Sequence, residues 1–435
     1  MPADLRPVKT PAEQALSAAY AAVRGTLPGK GAVGALREAA FERFDAAGLP
    51  HRRVEEWKYT DLRALMREAR PLAGPAGKPA AIPTVIGGVD TETIAVVNGR
   101  YEPTWSGGNA HDPGVTVEEL FTFLGENAGY KLGNGLNNED PAVALNTAFM
   151  GGGAALRVKR GTAVAKPIHI AHHFAGDAAA AMYPRVVVIV EPGAQLTLIE
   201  SFTGPAGLDY QVNSALELIV GDGARVDHIK VGCDGDKALR VSTLGVTVGA
   251  KATYKDFAFT IGGAVVRNQT FVRFAGEGSE GAIDGASLLK GRQHVDNTLV
   301  ISHAVGHCLS RERFKSVLDG ESHGIFQGKI IVEPHAQKTD GKMMTRALLL
   351  SDEAEADNKP ELEIFADDVV CGHGATAGAL DPGLKFYLMS RGIPAPEAEA
   401  LLIQAFIGEV IDEIAHEGIR DALMFAALKW LGSRS

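Results

Sequence analysis

Val188-Ile189-Val190-Glu191-Pro192-Gly193-Ala194-Gln195-Leu196-Thr197-Leu198 reads as strand, tight turn, strand. The pattern returns at Leu218-Ile219-Val220-Gly221-Asp222-Gly223-Ala224-Arg225-Val226-Asp227-His228, and again at Gly245-Val246-Thr247-Val248-Gly249-Ala250-Lys251-Ala252-Thr253-Tyr254. Branched aliphatic residues flank each turn, and Gly-Ala corners stand at 193, 223 and 249, spaced by 30 and then 26 residues. A repeat of this size with two or more short strands per unit predicts a solenoid. One unit cannot bury its apolar side alone and must stack on its neighbours. Residues 271–283 and 317–332 read as further, less regular coils. No strict hexapeptide ladder is present, so the pattern favours a mainly β fold built on a right-handed parallel β-helix. A double-sheet sandwich would give similar local signals.

Outward from the repeat the texture changes. Residues 12–22 and 35–47 are Ala-rich and helical in composition, broken by Pro28-Gly29-Lys30-Gly31 and closed by Gly48. Residues 71–83 read as a Pro/Gly/Ala-rich linker, and 84–125 as a small mixed α/β piece. After Asp381-Pro382 the pattern is helical again. Residues 384–390 suggest a short helix, and Ile393-Pro394-Ala395-Pro396-Glu397 opens a longer one. Leu401, Leu402, Ala405, Phe406 and Val410 recur at helical spacing, as do Leu423, Met424, Ala427 and Leu431. These faces either pack on the solenoid or dock a partner. The expected organisation is an N-terminal helical and mixed region (1–145), a β-helix core (146–380) and a C-terminal helical domain (381–435).

The chain has 435 residues and a net charge of −10, which argues against nucleic-acid binding through the phosphate backbone. Aromatic residues make up 6% and glycines number 51, which suits thin repeated layers with tight corners. Cys233, Cys308 and Cys371 are far apart, as in a reducing compartment. No apolar leader opens Met1-Pro2-Ala3-Asp4-Leu5-Arg6-Pro7, and no apolar run reaches the ~18 residues of a membrane span. The expectation is a soluble cytoplasmic protein with no membrane partner.

Cys371-Gly372-His373 follows the strand-like run 362–370. Residues two apart on a strand share a face, so a thiol and an imidazole would project together as half of a soft metal site. Two donors do not close a site, so any metal here would be shared with another chain or a transient ligand. The alternative is a buried thiol beside an ordinary polar histidine. Other motifs are weaker. Gly320-Glu321-Ser322-His323-Gly324 has the form of a nucleophile elbow, but a strand-like run follows it rather than a helix. Gly276-Glu277-Gly278-Ser279-Glu280-Gly281 has the dinucleotide pattern, with two glutamates that would repel a pyrophosphate and no helix after it. His303 and His307 are four apart without the glutamate of a zincin. No Walker A sequence is present, so the chain is not expected to hydrolyse ATP itself.

Several stretches together carry a family likeness. They are Phe326-Gln327-Gly328-Lys329-Ile330, Ala336-Gln337-Lys338-Thr339-Asp340, Leu348-Leu349-Leu350-Ser351, Ala366-Asp367-Asp368-Val369-Val370-Cys371-Gly372-His373-Gly374-Ala375-Thr376 and Phe386-Tyr387-Leu388-Met389-Ser390-Arg391-Gly392-Ile393. Gly48-Leu49-Pro50 through Glu55-Glu56-Trp57-Lys58-Tyr59-Thr60 adds to them near the other end. In these the chain resembles the SufB/SufD family of iron–sulfur cluster assembly subunits, in its SufD form. Met343 and Ala347 stand where the family pattern leads one to expect Gln and Asn.

The resemblance implies a right-handed β-helix between helical domains. It implies a non-catalytic scaffold that pairs with a SufB-like paralogue and binds a SufC-like ABC ATPase through its C-terminal helices. It also implies a transient iron–sulfur cluster at the interface with the SufB-like partner. His373 matches the family histidine placed at that interface, with Cys371 as a weaker neighbouring candidate. Two other classes compete. A carbohydrate-active β-helix enzyme of the pectate-lyase kind would need a groove lined by acidic side chains. A purely structural adaptor would leave Cys371 and His373 chemically idle.

Overall fold

The computed structural model describes residues 8–77, 80–84, 86–106, 112–127 and 129–433. Residues 1–7, on which the missing leader was read, lie outside them. The repeat folds into a parallel β-solenoid of about 8 coils. Each regular coil contributes one strand to each of two facing sheets. The first sheet runs from Glu92–Val97 through Ile168–His173, Gln195–Thr203 and their successors to Val370–Gly378. The second runs from Gly153–Val158 through Arg185–Val190 and its successors to Glu355–Ile364. The sheets thus also draw on the mixed segment 84–125. Glu92–Val97 pairs in parallel with Ile168–His173, and Val115–Glu119 pairs antiparallel with Gly153–Val158. The linker 71–83 is tied down at its start, where Leu72 bridges Ala181.

The corners explain the irregular period. The left-handed position of one corner column passes from Gly193 (φ 73°) to Gly223 (φ 65°), then to Lys251 (φ 55°) and Gly278 (φ 70°). Arg225 is in register with Thr253, so the structural counterpart of Gly223-Ala224 is Lys251-Ala252 rather than Gly249-Ala250. The spacing there is 28, not 26; a lysine took the position that glycine usually marks. The residue after each of these turns, and after the later ones at His307 (φ 58°) and Lys338 (φ 64°), points inward and is small: Ala194, Ala224, Ala252, Ser279, Cys308 and Thr339, all at most 1% exposed. Cys308 therefore fills a corner, with its sulfur 3.3 Å from Ser279 Oγ.

Alternate residues of both sheets fill the lumen. Leu196, Leu198, Leu216, Leu218, Val246, Leu299, Ile301 and Ile330 belong to one continuous apolar cluster. The opposite face of the first sheet, with Ile199, Ile229, Val231, Phe257, Phe259, Leu288 and Val317, is covered by the C-terminal helices Ala395–Ile411 and Glu417–Gly432. Ile403, Ile407, Val410, Leu423, Ala427 and Trp430 make that contact. Charged clamps add to it: Lys315 pairs with Glu409, and Arg313 bridges Asp284 (2.8 Å) and Glu413 (2.7 Å). Most of the helical apolar spacing is therefore used internally.

The N-terminal helices are Pro11–Val23, opened by a Thr10/Glu13 capping box, and Ala32–Ala47, closed at Gly48 (φ 73°). The charged and aromatic stretch after them straps this region to the second sheet. Trp57 is fully buried, donates to Asp140 (2.9 Å) and lies 3.9 Å beneath the Arg267 guanidinium. Arg267 pairs with Asp296 and donates to the Glu56 carbonyl (2.6 Å), while Thr60 bonds Asp296 (2.5 Å). Glu55 reaches Lys359 on the last strand of that sheet.

Candidate metal-facing edge

Cys371 and His373 lie on Val370–Gly378, the last strand of the first sheet. The run 362–370 is not one strand leading to them. Glu355–Ile364 ends first, and residues 365–369 turn the corner, held by Lys338 on Asp368 and by Gln337 Oε1 accepting from the Asp368 N–H (2.8 Å). The triplet thus belongs to the opposite sheet. The pleat still puts both side chains on one face, as their spacing predicts.

That face is the lumenal one. Cys371 is half-buried and rests against the lumenal cluster, whereas His373 is exposed. Burial is the largest influence on the Cys371 thiol and pushes its pKa up, with the Gly341 backbone pulling the other way. Loss of the thiol proton, which binding a metal requires, is thereby made harder than for a free cysteine. A Cβ on Gly372 would meet nothing within 4 Å, so the opposite face of the strand is open at this position. Among the described residues no group of three or more His, Cys, Asp or Glu comes together that could hold a metal ion. Cys371 and His373 are an incomplete set by themselves.

The column beneath His373 escaped sequence reasoning. Register places Met343, Glu312, Ile283, Asp256 and His228 successively below it. Only the coil-by-coil register, which varies in spacing, reveals this column. The other motifs separate. His303 is buried, stacked on Phe274 and bonded to Ser310 (3.0 Å), while His307 sits exposed at a left-handed corner (φ 58°), so the two do not converge. Ser322 is buried and precedes a strand, and Gly278 (φ 70°) is a solenoid corner.

The two edges of the last coil differ. On Glu355–Ile364, Glu355 N–H donates inward to Ser322, so alternate residues, Pro360 among them, face the free edge. Proline has no N–H to offer there, and Asp357, Lys359, Glu361 and Glu363 add charge. On Val370–Gly378, Val370 N–H donates inward to Thr339, which turns the backbone of Cys371, His373 and Ala375 outward. Val-Cys-Gly-His-Gly-Ala-Thr-Ala-Gly contains no acidic residue, lysine, arginine or proline. It is an unprotected edge.

Comparison with known proteins bears on this geometry. Residues 172–406 match the family described as SUF system FeS cluster assembly, SufBD core domain, and residues 13–170 match the SufBD protein N-terminal region. The chain is 30% identical over 393 residues to the iron–sulfur cluster assembly protein SufD of Escherichia coli, covering 87% of this chain and 88% of that protein. It is 29% identical to a SufBD family protein of Synechocystis (87% and 86% covered) and 29% identical to SufD of Bacillus subtilis (72% and 73% covered). The carbohydrate-active alternative finds no support. Among the described residues, no helix is long and apolar enough to cross a membrane. A parallel solenoid strapped to N-terminal helices and ending in a Cys-Gly-His edge is here the form of a SufBD protein, and the chain belongs to that family of the SUF iron–sulfur cluster assembly system.

Proposed function

We propose that this chain is a non-catalytic scaffold for iron–sulfur cluster assembly, working with a SufB-like paralogue and a SufC-like ATPase. The observation that carries the proposal is the unprotected strand Val370–Gly378, which offers unpaired backbone groups and the His373 imidazole from the same end of the solenoid. A strand from the paralogue would satisfy those groups and bring its own ligands beside His373. The cluster is cargo, held transiently because this chain supplies only a fraction of the ligand set. In this division of labour residues 146–380 form the assembly core, 1–145 brace it and 381–435 present the ATPase-binding surface.

The test is co-expression with SufB-like and SufC-like partners, with wild type beside Ala375→Pro. Ala375 turns its N–H to the free edge, so proline removes a donor that this chain does not itself use. The variant should remain folded and lose the paralogue in pull-down. A paralogue retained in wild-type amount would contradict pairing through this strand.

A further inference from the structure

The last two strands of the first sheet carry three soft donor side chains on one lumenal face. Cys371 and His373 share the lumenal face of Val370–Gly378, and Met343 is in register with His373 on the adjoining strand Asp340–Leu349. Met343 is 2% exposed and belongs to the apolar cluster on which Cys371 rests. Its sulfur points across the lumen to Gly328 of the opposite sheet, where a Cβ would stand only 2.4 Å away, so the missing side chain is what leaves the thioether room there, and reaching His373 requires it to turn. Neighbouring parallel strands are about 4.8 Å apart, within reach of one thioether turning from Gly328 toward the imidazole. Methionine's three side-chain torsions make that turn accessible.

We propose that Cys371, His373 and Met343 form a Cu(I) site at the mouth of the lumen. The proposal rests on reading Cys371 and His373 as metal-facing donors, and not on cluster assembly itself. Thiolate and imidazole suit Zn(II) as well as copper; the thioether turns the set toward Cu(I), whose low coordination number three donors satisfy. On binding, the Cys371 S–H bond breaks, its proton goes to solvent and the Cu–S bond forms with no change in oxidation state. One Cu(I) and one thiolate are neutral together, so the ion can lie against the apolar cluster without an uncompensated charge. Copper would then occupy the donors on which the cargo iron depends.

The experiment titrates the purified full chain, without oxygen, with Cu(I) presented as its bathocuproine disulfonate complex. Wild type should withdraw one equivalent. Met343→Leu, a change of similar volume, should bind at least tenfold more weakly, and Met344→Leu on the opposite face should bind as wild type does. X-ray absorption of the wild-type complex should show two sulfur neighbours and one nitrogen per copper, independently of how any variant folds. Copper left on the chelator by wild type, a single sulfur neighbour, or Met343→Leu binding like wild type would overturn the proposal. Failure of the assembly reading is separable: if His373→Ala binds copper normally yet its complex loses iron, this site is wrong and the scaffold reading stands.

Discussion

Glu312 is fully buried in the lumen. It stands one register below Met343 and two below His373, and burial pushes its carboxyl from 4.5 up to about 8, against a weaker pull from the Ser310 hydroxyl. The folded chain therefore holds a proton that the unfolded chain has released. The stability associated with it is present in full below about pH 4.5 and is lost as pH rises toward 8. Glu312→Gln removes the titration at nearly constant volume, so its melting temperature should fall less than that of wild type between pH 5 and 8. Parallel slopes in thermal melts across that range would contradict the assignment. His169 and His303 act in the opposite sense: burial lowers each to about 4, so their contribution is lost as pH falls from 6.5 through that value. At this scale the sequence was readable where spacing alone decides a face. Cys371 and His373, two apart on a strand, do share one. His303 and His307 do not, because a left-handed corner intervenes, and Met343 and Glu312 were hidden because their contact with the site needs the register.

Among the elements, the strands of the repeat were legible because branched residues and glycine corners recur, and the one misplaced corner is the one that uses Lys251. The C-terminal helices were legible in position but not in use. Their apolar spacing mostly covers the first sheet, where replacing one side chain such as Leu423 by alanine costs about 2–5 kcal/mol. Truncation before Pro394 would therefore bare that sheet as well as remove the proposed docking surface. What the helices leave free is more limited. Pro382–Ser390 buries none of its residues, with Leu384 and Phe386 at 53% and 72% exposure, and Phe425 is 69% exposed. Lys385, Ala395, Glu399, Ala400 and Leu428 line a groove among the three helices. The double variant Phe386→Ser, Phe425→Ser should keep the wild-type melting temperature within a few degrees and lose the ATPase in pull-down while retaining the paralogue. Undiminished ATPase binding would move that contact elsewhere.

For the molecule as a whole, the Glu55-Glu56-Trp57 strap crosses successive strands of the second sheet and ends at Lys359 on its last strand. It ties the N-terminal helices to the coil that presents His373's edge. The order of helices, solenoid and helices could be read from the change in sequence texture, but this strap could not, because it joins residues more than two hundred positions apart. The same architecture places the candidate site on the last strand of the first sheet, where the described residues bring no metal-holding group of three or more His, Cys, Asp or Glu together. In the proposed function His373 supplies a ligand to a cluster that the partner completes. The measurement is iron and acid-labile sulfide in the whole complex, purified without oxygen with His373→Ala in place of wild type. The exposed ring contributes little to packing, so the complex should assemble in normal yield while iron and sulfide fall to background, with Cys371→Ala showing a milder loss. Wild-type iron and sulfide in the His373→Ala complex would rule out His373 as a cluster ligand.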